Sequence, residues 1–173
     1  MLYGRAALAL GFGPAGSALG MTLDVDVILP TVEMAAIEAD AQMWAALDQT
    51  NSVLKPNGLY ITHLFTDEQV ILTPDWLEKI VGIPLQGVQR LQTYRPSTVD
   101  LILTKMMRDD PQDAEDIEFL LRQEKIELTM LVDAFSRARC PDVPEIKTTF
   151  TRLQPDVIRA ASRLKLGSIG SSS

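Results

Sequence analysis

Cysteine and histidine are almost absent from this chain, which holds one residue of each type among its 173. The lone Cys140 can form no internal disulfide, so we expect a reducing, cytoplasmic setting. A zinc site takes three or four ligands drawn mainly from cysteine and histidine, and His63 and Cys140 are too few to provide them. The scarcity of both residues therefore excludes a disulfide-stapled secreted module and a zinc domain.

Long apolar runs are also missing, since no uninterrupted hydrophobic stretch approaches the length that crosses a bilayer. The first ten residues contain one basic residue and are followed by no recognisable cleavage site. We therefore expect neither a membrane anchor nor export. A hydrophobic content of 46% with moderate charge fits a folded chain of one domain, or of one compact domain with a small appendage.

Basic side chains are scarce in the first half. Residues 1–88 hold only Arg5, Lys55 and Lys79 against ten acids, which accounts for the whole net charge of −7, whereas residues 89–173 hold thirteen of each sign. Broad binding to DNA or RNA is not expected, because each phosphate contact needs a cation that displaces counterions. The acidic first half would attract a metal cation, although a solvated acidic surface that aids solubility is an equal alternative.

Two aspartates mark the most informative segment of the chain. Asp24 and Asp26 are two residues apart in a run rich in β-branched residues, so a strand would place both carboxylates on one face. We expect Leu23, Val25 and Val27 to anchor the opposite face in a core. Paired carboxylates of this kind can hold Mg²⁺ against the phosphates of a nucleotide. Fourteen aspartates in the chain also produce such a pair by chance, so its context decides.

The first half alternates helical and extended patterns, which predicts an α/β core. We expect a short helix over Tyr3–Leu10, a flexible glycine-containing loop over Gly11–Gly20, and then a strand that ends at Leu29. The following patterns predict a helix over Val32–Gln49, strands over Leu59–Phe65, Val70–Leu72 and Val88–Tyr94, and a short helix over Trp76–Ile80.

After Arg95-Pro96 the apolar residues recur with helical spacing only. Ser97 and Asp100 form a capping-box pattern that opens the first of four predicted helices, and Asp110-Pro111 opens the second. The chain therefore divides into an α/β core at 1–95, a helical bundle at 96–166 and a disordered tail at 167–173.

Three segments together resemble the nucleotidyltransferase-fold proteins. These are Gly4-Arg5-Ala6-Ala7-Leu8-Ala9-Leu10, then Thr22-x-Asp24-x-Asp26, and later Lys105-x-x-Arg108-x-x-x-x-Asp113-x-x-Asp116. The likeness covers roughly residues 3–135 and is nearest to the group that includes AbiEii-like toxins of bacterial toxin–antitoxin systems. It implies a mixed sheet of about four strands with flanking helices and a C-terminal helical bundle.

The resemblance also implies a chemistry. Asp24 and Asp26 would be the catalytic metal ligands for one or two Mg²⁺ ions. An NTP would be bound by the residues that match the family's glycine motif, strand motif and helical motif, namely Gly4, Arg5, Thr22, Lys105 and Arg108. The implied reaction is transfer of a nucleotidyl group from the NTP to a hydroxyl acceptor.

The sequence departs from the family pattern in several places, and two of them bear directly on the site. Arg5 stands where the family usually has a small residue, and the strand at Leu59–Phe65 carries no third acid, the nearest being Asp67 and Glu68 beyond its end. These departures leave a second hypothesis open, in which the fold acts through protein contact with an antitoxin-like partner or a second copy. A third hypothesis is an acidic adaptor with an unrelated α/β fold.

Several of these residues also have ordinary structural interpretations. Lys105 and Arg108 are typical of a solvated helix surface, and Asp113 and Asp116 of a first helical turn, where carboxylates favour the macrodipole. Asp100 would be a cap partner only. His63 is typical of a hydrogen-bonded sheet residue, and Trp44 and Trp76 of core anchors. The burial and contacts of these residues in the structure can distinguish the structural from the functional interpretation.

Overall fold

The computed structural model describes residues 1–17, 24–85, 87 and 91–169, and leaves the side chains of Asp24, Thr62, His63 and residues 166–169 outside the description. Two compact units emerge from its contacts. The first unit comprises Met1–Gln69 and Val81–Arg95, and the second comprises Val70–Ile80 and Pro96–Ser173. Among the described helices, none combines the length and apolar character that crossing a membrane requires.

A mixed sheet forms the centre of the first unit. Its described strands are β1 (Leu2–Tyr3), β2 (Asp24–Leu29) and β3 (Tyr60–Thr66), in that spatial order. β1 runs antiparallel to β2, and β3 runs parallel to it. A separate antiparallel hairpin joins β4 (Val81–Ile83) to β5 (Thr93–Arg95). This mixed α+β architecture confirms the predicted fold class.

Four helices accompany these strands: α1 (Gly4–Gly11), α2 (Gly13–Ser17), α3 (Met34–Ala39) and α4 (Ala41–Leu54). The predicted helix over residues 32–49 is present, but it is divided at Asp40. The Asp40 carboxylate accepts hydrogen bonds from the backbone N–H groups of Gln42 and Met43 and so caps a new helix. Helix α4 is fixed to the sheet by Asn51, whose amide both accepts from and donates to the backbone of Ile61.

The core of the first unit corrects the prediction for β2. Val25 and Val27 are half-buried, whereas Ile28 is fully buried and Leu29 nearly so. Ile28 shares the face of Asp26, and Leu29 shares the face of Val25 and Val27, so protein covers both faces at the C-terminal end of the strand. Leu23 lies outside the described residues. Trp44 is also half-buried, so the prediction that it anchors the core is wrong.

The predicted flexible loop over Gly11–Gly20 is wrong for its first part, because residues 13–17 form α2. Gly16 allows this helix to fold back on α1, since a Cβ there would lie 2.1 Å from the carbonyl oxygen of Leu8. The glycine therefore permits a close backbone approach rather than flexibility. Residues 18–20 lie outside the described residues.

Helices dominate the second unit: α5 (Thr98–Lys105), α6 (Pro111–Gln123), α7 (Leu128–Arg137) and α8 (Pro144–Ile169). All four were predicted, and α8 continues to Ile169, three residues into the segment 167–173 predicted to be disordered. Residues 170–173 lie outside the described part of the chain.

The segment Val70–Ile80 packs with these helices, and Trp76 is buried at 1% exposure, as predicted. The strand predicted over residues 70–72 is wrong, because this segment forms a single bridge, from Leu72 to Arg139, among the described residues. Asp100 is more than a cap partner. Its fully buried carboxylate accepts from the Ser97 hydroxyl at 2.6 Å and from both the N–H and the hydroxyl of Thr73 at 2.8 Å.

Candidate functional site

The first part of the candidate site is the contact between Gly4 and Asp26. Asp26 lies half-buried in the middle of the sheet, paired with Tyr3 on one side and with His63 on the other. Gly4 follows Tyr3 and begins α1 with a φ of +63°. A Cβ at Gly4 would lie 2.8 Å from Oδ2 of Asp26. The helix start and the strand carboxylate therefore meet at a distance that only glycine allows.

The other predicted residues of this site are known only in part. Asp24 begins β2, two residues before Asp26 and in register with Tyr60, while its side chain lies outside the description. Arg5 is half-buried in the first turn of α1, next to Gly4. Thr22 lies outside the described residues. The roles predicted for these residues in metal and nucleotide binding stay predictions.

Asp67 was the nearest acid to the position expected for a third carboxylate. It follows β3 and accepts hydrogen bonds from the N–H of Thr31, at 2.8 Å, and from the Thr31 hydroxyl. Its neighbour Thr66 pairs with Leu29, three residues beyond Asp26 and so about 10 Å along the strand. The carboxylate of Asp67 therefore holds the turn after β2. Among the residues whose side chains are described, no cluster of three His, Cys, Asp or Glu could hold a metal ion.

Lys105 is buried, so its interpretation as part of a solvated surface is wrong. Its side chain is 8% exposed, and Nζ lies 2.9 Å from Oδ1 of Asp113 and 2.6 Å from Oδ2 of Asp116. The last residue of α5 is thus joined to the first two turns of α6. Asp116 is fully buried, so these carboxylates neutralise a buried cation in addition to any effect on the helix dipole.

Arg108 differs from Lys105 in exposure. Its side chain is 68% exposed, and its Nε lies 2.5 Å from Oδ2 of Asp113, whose other oxygen faces Lys105. Arg108 also lines a cavity of about 170 Å³ between the start of α6 and the middle of α8. Of the two cations in the helical motif that were predicted to bind the nucleotide, Arg108 is the one that reaches solvent, and its guanidinium is held by a buried carboxylate.

Cys140 is a poor candidate for nucleophilic chemistry. Burial raises the pKa of its thiol above the usual range, with only a smaller opposing effect from the nearby Lys147. A thiol with a raised pKa is protonated at neutral pH, and the thiolate is the reactive form. The described part of the structure thus directs attention to the carboxylate of Asp26.

A protein-family model described as "Nucleotidyltransferase of unknown function (DUF6036)" matches residues 15–148 of the chain. The chain belongs to this family. The match confirms the nucleotidyltransferase-like part of the resemblance, while the nearer likeness to AbiEii-like toxins stays a prediction. Comparisons with curated proteins and with solved structures gave no match.

The match includes Asp24, Asp26, Lys105 and Arg108 and leaves out Gly4 and Arg5, which precede it. Sequence reasoning missed two features of the site. The first is the positive φ of Gly4 together with its contact with Asp26, because the spacing of residues along the sequence does not give the distance between these two segments in the fold. The pairing of Asp26 with His63 depends on a local irregularity in the sheet.

Proposed function

We propose that the protein is a Mg²⁺-dependent nucleotidyltransferase that transfers a nucleotidyl group from an NTP to a hydroxyl acceptor. The observation that carries the proposal is the contact between Gly4 and Asp26. It places a carboxylate from the central strand beside the N-terminus of α1, where a Cβ at position 4 would lie 2.8 Å from Oδ2 of that carboxylate. Membership of a nucleotidyltransferase family supports the same reaction class.

Each residue has a role in this proposal that follows from its chemistry. Asp26, together with Asp24 two positions earlier, provides carboxylate oxygens, the ligands that Mg²⁺ prefers. Gly4 opens α1, so the backbone N–H groups of the first turn and the positive end of the helix dipole favour an anion such as a triphosphate. Arg5, in the same turn, adds a cation. Bound Mg²⁺ would supply polarisation of the phosphoryl oxygen and charge neutralisation.

We further propose that the protein belongs to a toxin–antitoxin system and that it acts in the cytoplasm. The resemblance to AbiEii-like toxins supports the first, and the lone cysteine supports the second. An antitoxin-like protein would be the expected partner.

Isothermal titration with a non-hydrolysable NTP analogue tests the proposal. Native protein should bind the analogue in the presence of Mg²⁺ and lose binding when Mg²⁺ is removed by EDTA. Asp26→Asn should lose Mg²⁺-dependent binding, because the amide keeps the shape of the side chain and removes its charge. Asp48→Asn, an exposed acid in α4, is the matched control and should bind as native protein does. Equal binding by Asp26→Asn would refute the proposal.

The burial of Lys105 favours a second candidate function. A cation paired with both Asp113 and Asp116 is poorly placed to contact phosphates, which would suit a protein that keeps the fold and acts through protein contact. Such a protein would bind an antitoxin-like partner or a second copy. Light scattering after gel filtration, combined with the titration above, separates the two: an oligomer or a stable complex without NTP binding supports contact, and NTP binding with turnover supports catalysis.

A further inference from the structure

We propose that a cavity in the second unit, between the C-terminal end of α6 and the last turns of α8, binds a small amphiphilic anion from solution. Such a ligand has an apolar body and one anionic head group. Every residue that lines the cavity belongs to the second unit, and none belongs to the site around Asp26. The inference therefore goes beyond the proposed function and does not depend on it.

The size of the cavity suits a small molecule. Its volume is about 370 Å³, within the range of about 300–1,000 Å³ that is usual for small-molecule sites. Two residues of α6, three residues of the segment that follows it and three residues of α8 form its walls: Leu121, Arg122, Glu124, Lys125, Ile126, Ala161, Leu164 and Lys165.

The floor of this cavity is apolar and already ordered by packing. Leu121, Ile126 and Ala161 are each buried to 8% exposure or less, and Leu164 is half-buried. Side chains that are fixed in this way form a surface that needs no rearrangement to receive a ligand. The apolar body of a ligand would cover them, and the removal of apolar surface from water favours binding.

Three cations surround this floor. Lys125 is exposed and forms no salt bridge or hydrogen bond with the described residues. Arg122, whose side chain is 56% exposed, pairs with Glu118 at 2.7 Å, and Lys165 pairs with Glu127. Exposed ion pairs of this kind are weak, so these two cations can also attract an anion in the cavity. The head group of the ligand is expected at Lys125.

The balance of charge distinguishes this cavity from two others in the second unit. Its walls carry three cations and one acid, Glu124. The cavity of about 170 Å³ beside Arg108 has two arginines and four acids in its walls. A further cavity of about 240 Å³, at the start of α5, has three cations and three acids. An anion is favoured where cations outnumber acids, which is the case between α6 and α8.

A ligand in this cavity would contact both α6 and α8. Because it would bind the folded second unit and not the unfolded chain, it should stabilise the fold in proportion to its concentration and affinity. Thermal unfolding therefore provides a measurement that is independent of direct binding.

Isothermal titration of native protein with octanoate tests the inference, without metal or nucleotide. We expect saturable binding at one site and a rise in the unfolding temperature with octanoate concentration. Octylammonium has the same chain with the opposite charge and should bind at least about tenfold more weakly, as expected when a hydrogen bond to a charged group is lost. Inorganic phosphate, a head group without a body, should also bind more weakly. Equal affinities for octanoate and octylammonium, or no saturable binding of octanoate, would overturn the inference and leave the proposed function standing.

Two variants locate the site. Lys125→Glu should lower octanoate affinity about tenfold or more, because it replaces the attraction by repulsion. Lys55→Glu is the matched control, since Lys55 is an exposed lysine of the first unit that also forms no salt bridge with the described residues. Ala161→Leu should reduce binding by filling the floor. Octanoate binding by Lys125→Glu that equals that of the control would overturn the inference.

NMR of native protein keeps the test decisive if a variant fails to fold. Octanoate should shift the backbone amide signals of residues 121–126 and 161–165, and shifts confined to other residues would count against the cavity. A lipid surface is the alternative source of an amphiphilic anion. Co-sedimentation with phosphatidylglycerol vesicles, without binding of free octanoate, would assign the cations to a membrane surface and overturn the inference.

Discussion

Gly4 and Asp26 are in contact through the space that a side chain at position 4 would occupy, since a Cβ there would lie 2.8 Å from Oδ2 of the carboxylate. The same glycine has a φ of +63°, a conformation that other residues adopt at a cost. Gly4 thus meets two separate requirements, one of backbone conformation and one of space. The position of the central carboxylate depends on both.

Replacing this glycine should damage the site more than the fold. Gly4→Ala should cost about 1–2 kcal/mol for the positive φ and more for the displaced carboxylate, and should abolish metal binding. Gly13→Ala is a matched control, because Gly13 has a φ of +57° with open space around its Cβ position. Urea unfolding and metal titration of both variants check the prediction. Equal metal binding by the two variants would contradict it.

Removing Lys105 should destabilise the second unit strongly. Lys105→Met removes a buried cation from the carboxylates of Asp113, which keeps its pair with Arg108, and of Asp116. Removing one partner of a buried ion pair costs about 3–5 kcal/mol. Arg108→Met is the control, because Arg108 is 68% exposed and its removal leaves Asp113 paired with the buried Lys105, so its loss should cost less. Urea unfolding followed by circular dichroism measures both. Similar losses in the two variants would show that the burial of Lys105 has been overestimated.

Stability should depend on pH through Asp75. Hydrogen bonds from Arg137, at 2.6 Å, and from Lys79 hold the pKa of the Asp75 carboxyl below its usual range. A carboxyl group whose pKa is lowered by folding stabilises the fold above its unfolded pKa, and this contribution is lost as the pH falls through the folded pKa.

Asp75→Asn should therefore be less stable than native protein at neutral pH, with a difference that shrinks as the pH falls below about 4. Arg137→Gln removes the first cause of the lowered pKa and should show the same trend. Urea unfolding between neutral and acidic pH measures the difference. A gap that stays constant down to the lowest pH would argue against this role for Asp75.

The amide of Asn51 should be needed for the docking of α4 on β3. It accepts from the N–H of Ile61 at 2.8 Å and donates to the carbonyl of Ile61 at 3.1 Å. Asn51→Ala should cost about 1–3 kcal/mol, because two hydrogen bonds are lost and contribute about 0.5–1.5 kcal/mol each. Asn51→Asp keeps the acceptor, so its stability should lie between those of native protein and Asn51→Ala. Ser52→Ala, at an exposed neighbouring position, should have little effect in the same thermal unfolding measurements.

The sequence predicts the elements of this protein better than their contacts. Hydrophobic spacing and capping residues predicted β2, β3 and the helices of the second unit, because those signals are local. The segment Gly11–Gly20 misled the prediction, since glycine marks both flexible loops and close packing. Gly16 serves the second purpose against α1. A local pattern cannot distinguish the two.

The candidate site was predictable only as far as its residue types. Asp26 was identified from the alternation of its strand. The burial of Lys105 was not predicted, because its partners Asp113 and Asp116 lie in a different helix. The position of these aspartates near the start of that helix already explained their presence. The pairing of His63 with Asp26 escaped for a related reason: a one-residue irregularity changes register without changing composition.

Arg95 gives the first unit an order of assembly. Its buried guanidinium lies 4.1 Å from the centre of the Phe12 ring, and its Nε donates to the carbonyl of Gly11, a residue 84 positions earlier in the chain. During synthesis, the contact between Arg95 and the end of α1 can therefore form only after nearly the whole unit has left the ribosome. In a fragment that stops short of the β4–β5 hairpin, α1 would lack the contacts that Arg95 makes with Gly11 and Phe12.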